Sequence, residues 1–183
     1  MSLGSLSNGW LFIDKPKGIT SFDVIRKVRR FTKIKKIGHS GTLDPFATGV
    51  LALAFGEATK SIQFLSSVKE YDFEVTFGET RDTDDVTGNV IESNDMYPSL
   101  DSINSCIMSF IGTIDQVPPN YSAVKVEGQR AYKLARNGKA FDLGSKKVEI
   151  FKFQCLAKIA DNIYSFRVKC SSGTYIRSLA RDI

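Results

Sequence analysis

Residues 146–172 read KKVEIFKFQCLAKI, then ADN, then IYSFRVKCSS. Two long runs rich in β-branched and aromatic residues, parted by an Asp-Asn turn, predict a β-hairpin. A second strand signal, YDFEVTF at 71–77, alternates strictly. Tyr71, Phe73, Val75 and Phe77 share one side, and Asp72, Glu74 and Thr76 share the other, the pattern of a half-buried strand. GWLFIDKPKG predicts a strand running into a Pro-Gly turn, and QVPPNYSAVKVEG an extended Pro-Pro segment that continues as a strand. Helical patterns lie between these. TSFDVIRKVRRFTKI predicts a helix with Thr20 as N-cap and Asp23 three residues on. Its apolar stripe is Phe22, Ile25, Val28 and Phe31, and Arg26, Lys27, Arg29, Arg30 and Lys33 make its other face. SLDSINSCIMSFIG predicts a helix ending at Gly112, RAYKLARNGK a short basic helix stopped by Asn-Gly, and TYIRSLARDI a helix capped by Thr174. Strands that occur both in hairpins and between helices predict an α+β fold with a mixed, largely antiparallel sheet.

At 183 residues, 42% of them apolar, the chain suits one sizeable domain. Residues 1–8 are expected to be a tag or loose terminus and 9–183 one domain, with the final helix cut short at its end. Cys106, Cys155 and Cys170 are scattered and odd in number. That argues against a disulfide framework or a zinc site and for a reducing, cytoplasmic setting. No apolar run approaches the roughly 20 residues that span a bilayer, and no charged-then-apolar leader opens the sequence. One histidine leaves little for a transition-metal site.

Charge is polarised. Residues 14–36 carry nine basic groups against two acidic, net +7, and residues 125–147 carry seven against two, net +5. Residues 79–101 invert the sign, with seven acids against Arg81 alone. Two basic faces on one molecule point to a polyanionic partner.

The densest constellation is GHSGTLDP at 38–45, which holds the only histidine, His39, and an aspartate pressed against a proline, Asp44-Pro45. Asp-Pro is commonly a helix N-cap followed by N1 proline. Here Gly38 and Gly41 permit a sharp turn or close approach of a ligand, and His39 and Thr42 bring polar groups with no neutralising acid. A carboxylate so placed is a candidate nucleophile or base. GHSGT does not match G-x-S-x-G, and no phosphate-cradling G-x-x-x-x-G-K-[ST] occurs. Arg177, near the start of the last predicted helix, opposes the helix dipole unless a carboxylate or phosphate stands nearby.

Taken together, five segments resemble the bacterial tRNA pseudouridine synthase B (TruB) family, in family order: GWLFIDKPKGITSFDVIRKVRR, GHSGTLDPFATGVLALAFGEATK, KEYDFEVTFGETRDTDDVTG, QVPPNYSAVKVEGQRAYKLARNG and CSSGTYIRSLARDI. The resemblance implies isomerisation of the T-loop uridine at tRNA position 55 to pseudouridine, with the base flipped out of the RNA and no cofactor or metal required. It implies that Asp44 is catalytic, attacking either the ribose or the base. Tyr71 then stacks on the target base, Arg177 pairs with the catalytic carboxylate, and Tyr175 and His39 surround the flipped nucleotide. Lys15 and Pro16 match the structural pair of the opening motif, and Gly41, Thr42 and Pro45 belong to the catalytic motif. Arg26, Arg29 and Arg30, with Lys125, Arg130 and Lys133, are candidates for holding phosphates of the tRNA T-arm. A cytoplasmic monomer with no membrane and no obligate protein partner is expected. Family members continue past this last helix into a pocket-completing segment and a small RNA-binding domain, so reduced activity is expected of the 183 residues alone. The rival classes are a non-catalytic RNA-binding or tRNA-folding protein and a guide-RNA-dependent relative.

Overall fold

The computed structural model describes residues 7–183; the expected tag or loose terminus lies largely outside them. The chain divides into two compact units, Met1–Ser66 and Ser67–Ile183.

The first unit is a three-stranded antiparallel sheet backed by a helix. Strands β1 (Gly9–Lys15), β2 (Ile37–His39) and β3 (Gly49–Phe55) lie in the order β1-β3-β2. Leu51 and Leu53 point from β3 into a core shared with Ile37 and with Val24 and Ile25 of helix α1 (Ser21–Thr32). Fully burying a side chain such as Leu53 contributes about 1.5–3 kcal/mol. Helix α1 opens as the sequence predicts: Thr20 accepts from the Asp23 amide while the Asp23 carboxylate accepts from Thr20 N at 2.9 Å, a reciprocal capping box. The apolar stripe differs from the predicted one. Ser21, Val24 and Ile25 are buried, whereas Phe22 is 58% and Phe31 80% exposed. Spacing explains this, because 21, 24, 25 and 28 share a face and 22 and 31 fall on its two flanks. A 3₁₀ segment, Gly56–Phe64, follows β3.

The second unit is built on the predicted hairpin. Strands β4 (Val68–Thr76), β5 (Glu79–Arg81) and β6 (Val90–Ser93) precede helix α2 (Leu100–Met108) and strand β7 (Gly112–Gln116). Short β8 (Lys125–Val126) and β9 (Gln129–Arg130) lead into helix α3 (Ala131–Arg136), then β10 (Lys146–Ala160), β11 (Ile163–Ser171) and helix α4 (Ile176–Asp182). The main sheet runs β4-β11-β10-β7, and every described pairing is antiparallel. Phe166, Val168 and Cys170 of β11, with Ile150 and Phe153 of β10, form its core against Ile103 and Ile107 of α2 and Leu179 of α4. Phe73 stands 5.5 Å from the Phe166 ring and 6.0 Å from the Phe153 ring, as the alternation of YDFEVTF requires. Strand β10 outruns β7, which pairs only with residues 146–150, and its register against β11 shifts at three points.

Three further boundaries differ from prediction. Helix α2 ends at Met108, and Gly112 begins a strand. The strand expected after Pro118-Pro119 shrinks to the two residues of β8. Tyr175, not Thr174, is the N-cap of α4; the Thr174 hydroxyl turns back to the Ser171 carbonyl at 2.9 Å. Helix α3 does stop at Asn-Gly: Gly138, at φ 62°, lets Lys139 N reach the Leu134 carbonyl at 3.2 Å. All three cysteines are free thiols.

Candidate active site

In the first unit, the GHSGTLDP segment leaves β2 and is tied down on both sides of Asp44. Ser40 N donates to the Ala52 carbonyl at 3.0 Å, continuing the β2–β3 ladder. Upstream of Asp44, the buried Ser21 hydroxyl accepts from Leu43 N at 3.0 Å and donates to the Leu43 carbonyl at 3.1 Å. Downstream, the Pro45 carbonyl accepts from Gly18 N at 2.7 Å and from Lys15 Nζ at 3.4 Å. Ala47 N closes a turn onto the Asp44 carbonyl at 3.1 Å, with Pro45 second in the turn. Asp44 therefore caps no helix; proline presets a turn there.

Lys15 is fully buried. Besides Pro45 it donates to the carbonyls of Ile19 at 2.8 Å and Pro16 at 3.0 Å. Three carbonyls match the three protons of an ammonium. Burial lowers its pKa from the ordinary lysine value, and the Asp44 charge acts the other way. The lysine thus joins the Lys-Pro-Lys-Gly turn of the opening motif to the peptide that carries Asp44, while Pro16 itself is exposed. His39 closes β2 half-buried, its Nδ1 donating to the Gly41 carbonyl at 2.5 Å. A carbonyl only accepts, so this bond places a proton on Nδ1. Gly41 has open space where a Cβ would stand, and Thr42 is exposed. Gly38 serves packing: a Cβ there would meet Ile62 at 2.8 Å. On α1, Arg26 and Arg30 are exposed, and Arg26 pairs with Asp23 and lies 5.9 Å from the Phe22 ring centroid. Arg29 is half-buried, and its Nε has no hydrogen-bond partner among the described residues.

In the second unit, Tyr71 lies on β4 opposite Val168, half-buried against the core. Arg177 is in the first turn of α4 with its side chain only 11% exposed. Its Nη1 is 3.5 Å from the Asp85 carboxylate and 3.2 Å from the Thr83 carbonyl, and Nη2 donates to the Tyr121 carbonyl at 3.2 Å. A carboxylate does stand near this arginine, as its position at a helix N-terminus requires. One turn on, Arg181 pairs with Asp84 at 3.1 Å; burial pushes the Asp84 carboxyl above its ordinary value against the pull of that pair. Tyr175 precedes Arg177, its backbone held by Gln116. Lys125 and Arg130 are partners across β8–β9, Arg130 also donating to the Ala123 carbonyl, and Lys133 is exposed on α3.

The geometry adds Ser21, Asp85 and Gln116 to the residues singled out from sequence. Gln116 falls on the buried side of β7, where an amide needs partners, but a five-residue strand is too short a pattern to announce it from sequence. Ser21 was hidden beside a better cap, Thr20.

The antiparallel α+β architecture is shared with solved structures of the pseudouridine synthase class. Two structures of this class align with it. A Cbf5-Nop10-Gar1 complex matches with TM-score 0.66 and 29% identity over 95% of this chain and 42% of that one. An H/ACA RNP bound to a substrate RNA containing 2′-deoxyuridine matches with TM-score 0.62 and 26% identity over 95% and 41%. The model of the TruB family pseudouridylate synthase N-terminal domain matches residues 29–176, and the chain belongs to this family. Among curated relatives, the tRNA pseudouridine synthase B of Gluconacetobacter diazotrophicus is 48% identical over 96% of this chain and 58% of its own length. That of Rhodospirillum rubrum is 48% identical over 98% and 59%, and that of Ehrlichia ruminantium strain Gardel 46% over 96% and 60%. The chain thus spans about 58–60% of the length of these relatives. No helix of the described residues is long and apolar enough to cross a membrane.

Proposed function

We propose that the protein isomerises uridine to pseudouridine in tRNA, at the T-loop position 55, with Asp44 as the catalytic carboxylate. The observation that carries this reading is the loop itself. Asp44 lies between two anchored peptides, Leu43 held by Ser21 and Pro45 held by Lys15 and Gly18, within a family-matched segment. Such anchoring fixes a nucleophile without using its side chain. The reaction breaks the N1–C1′ bond and forms C5–C1′; C5 loses a proton and N1 gains one, so no atom or electron is supplied from outside. Asp44 attacks the ribose or the base while Arg177 pairs with its carboxylate and keeps it ionised. Tyr71 stacks on the extruded base, and Tyr175 and His39 line its pocket. Arg26, Arg29, Arg30, Lys125, Arg130 and Lys133 hold phosphates, and residues 9–183 act as the catalytic domain. A cytoplasmic site of action and a monomeric state belong to the same reading.

The test is pseudouridine formation on an unmodified tRNA transcript. The wild-type chain is expected to convert position 55 and Asp44→Asn to convert none while still binding RNA. A wild-type chain that binds tRNA without converting it would favour a tRNA-folding role, and turnover by Asp44→Asn would remove Asp44 from the chemistry.

A further inference from the structure

We propose that Gln116 is a positioning residue that sets the direction of Tyr175 and Arg177; the inference rests on the reading of those two as site residues. Gln116 ends β7 and is 2% exposed. Its Oε1 accepts from Tyr175 N at 2.8 Å and its Nε2 donates to the Tyr175 carbonyl at 3.1 Å. The amide therefore makes both bonds that a neighbouring strand would make, using a side chain as the rung.

Tyr175 needs that rung. It is the N-cap of α4, extended at φ −94° and ψ 113°, and no side chain caps the helix. Its carbonyl also accepts from Leu179 N at 3.2 Å, so both lone pairs are used. With amide and carbonyl both tied to one buried group, the Tyr175 Cα–Cβ direction is fixed. Arg177 follows two residues later on the same first turn. The chain leaving Gln116 completes the hold: the Val117 carbonyl accepts from Ser178 Oγ at 2.8 Å, and the Tyr121 carbonyl accepts from Arg177. An amide offers a donor and an acceptor side by side without having to take up a proton, and glutamine has the reach. Filling the space alone would need no amide.

The chemistry gives a test that packing cannot mimic. In Gln116→Glu an ionised carboxylate accepts from Tyr175 N but faces the Tyr175 carbonyl with no proton to give. Burial and that carbonyl raise the introduced group's pKa. Once protonated, it donates and accepts as the amide does. Three proteins are compared from about pH 5 to about pH 8.5: wild type, Gln116→Glu, and Gln116→Met, which keeps the volume without a buried charge. Two quantities are read: hydrogen exchange of the Tyr175 amide, and the single-turnover rate with Kd on unmodified tRNA transcript. At the alkaline end Gln116→Glu should lose Tyr175 protection and turn over roughly 10- to 100-fold slower than wild type, with Kd changed by no more than about threefold. Both losses should reverse as pH falls. Gln116→Met should show both losses at every pH. A Gln116→Glu to wild-type rate ratio that is flat with pH, a loss carried wholly by Kd, or undisturbed Tyr175 exchange in Gln116→Met would overturn the proposal. A wild type that forms no pseudouridine would defeat the proposed function instead, and the exchange data would still decide whether Gln116 holds Tyr175.

Discussion

Replacing Lys15 by methionine should unfold the first unit far more easily. Methionine keeps most of the aliphatic stem, so the change isolates the ammonium. Its removal takes the donor from the carbonyls of Pro16 and Ile19, while the Pro45 carbonyl keeps Gly18 N at 2.7 Å. Two stranded acceptors cost about 1–3 kcal/mol each, roughly 2–6 kcal/mol together. Removing the ammonium's own burial penalty, which lowers its pKa in the folded chain, offsets part of this and leaves about 2–4 kcal/mol. That is a large share of a domain's usual stability of about 5–15 kcal/mol. The single tryptophan, Trp10, lies in β1 with its ring 6.4 Å from that of Phe12, so its fluorescence reports on this unit. With a urea slope of about 1.5–2 kcal/mol per M, the midpoint should fall by roughly 1–2.7 M. A midpoint within about 0.3 M of wild type would refute the argument that Lys15 anchors the loop through charged hydrogen bonds.

Thr20→Ala breaks the capping box of α1 and should cost about 0.5–2 kcal/mol, again read from Trp10 in urea, with Thr20→Ser close to wild type. Arg167 grips Asp72 through two hydrogen bonds, at 2.7 and 2.6 Å, and holds its carboxyl below the ordinary aspartate value. The sign follows: the contribution is complete above the unfolded value of 3.8 and is lost as pH falls through the lowered folded one. Asp72→Asn should therefore flatten the acid limb of the thermal stability curve while changing little at neutral pH.

Local signals were the legible ones. The capping box of Thr20 and Asp23, the β10–β11 hairpin and the Asn137-Gly138 stop each depend on residues a few positions apart. The alternation of β4 was legible because one of its faces is wet. What escaped depends on neighbours distant in sequence. Phe22 and Phe31 look like core from hydropathy, yet α1 is clamped by Ser21 to the Leu43 peptide, and that orientation turns both rings outward. Five residues of β7 between a helix and a Pro-Pro pair give too short a pattern to separate from a helix end. The residues of GHSGTLDP were conspicuous by composition, but the clamp on Asp44 comes from Lys15 and Ser21, 29 and 23 positions upstream, and nothing local announces it.

The unequal lengths of β7 and β10 have a consequence for how this chain behaves in company. Past Ile150, β10 offers a rim that no other described strand covers, studded by Phe151, Leu156 and Ile159, which are 42%, 49% and 55% exposed. A straight rim of that kind would recruit strands from other molecules and seed cross-β stacking. The three register shifts, between Ile150 and Lys152, Cys155 and Ala157, and Lys158 and Ala160, interrupt it before a newcomer could zip far. Each one bends the strand and adds local twist. Lys152 adds a charge that like-signed copies would have to bring together. The irregularities of β10 thus oppose the growth of a shared sheet along that rim.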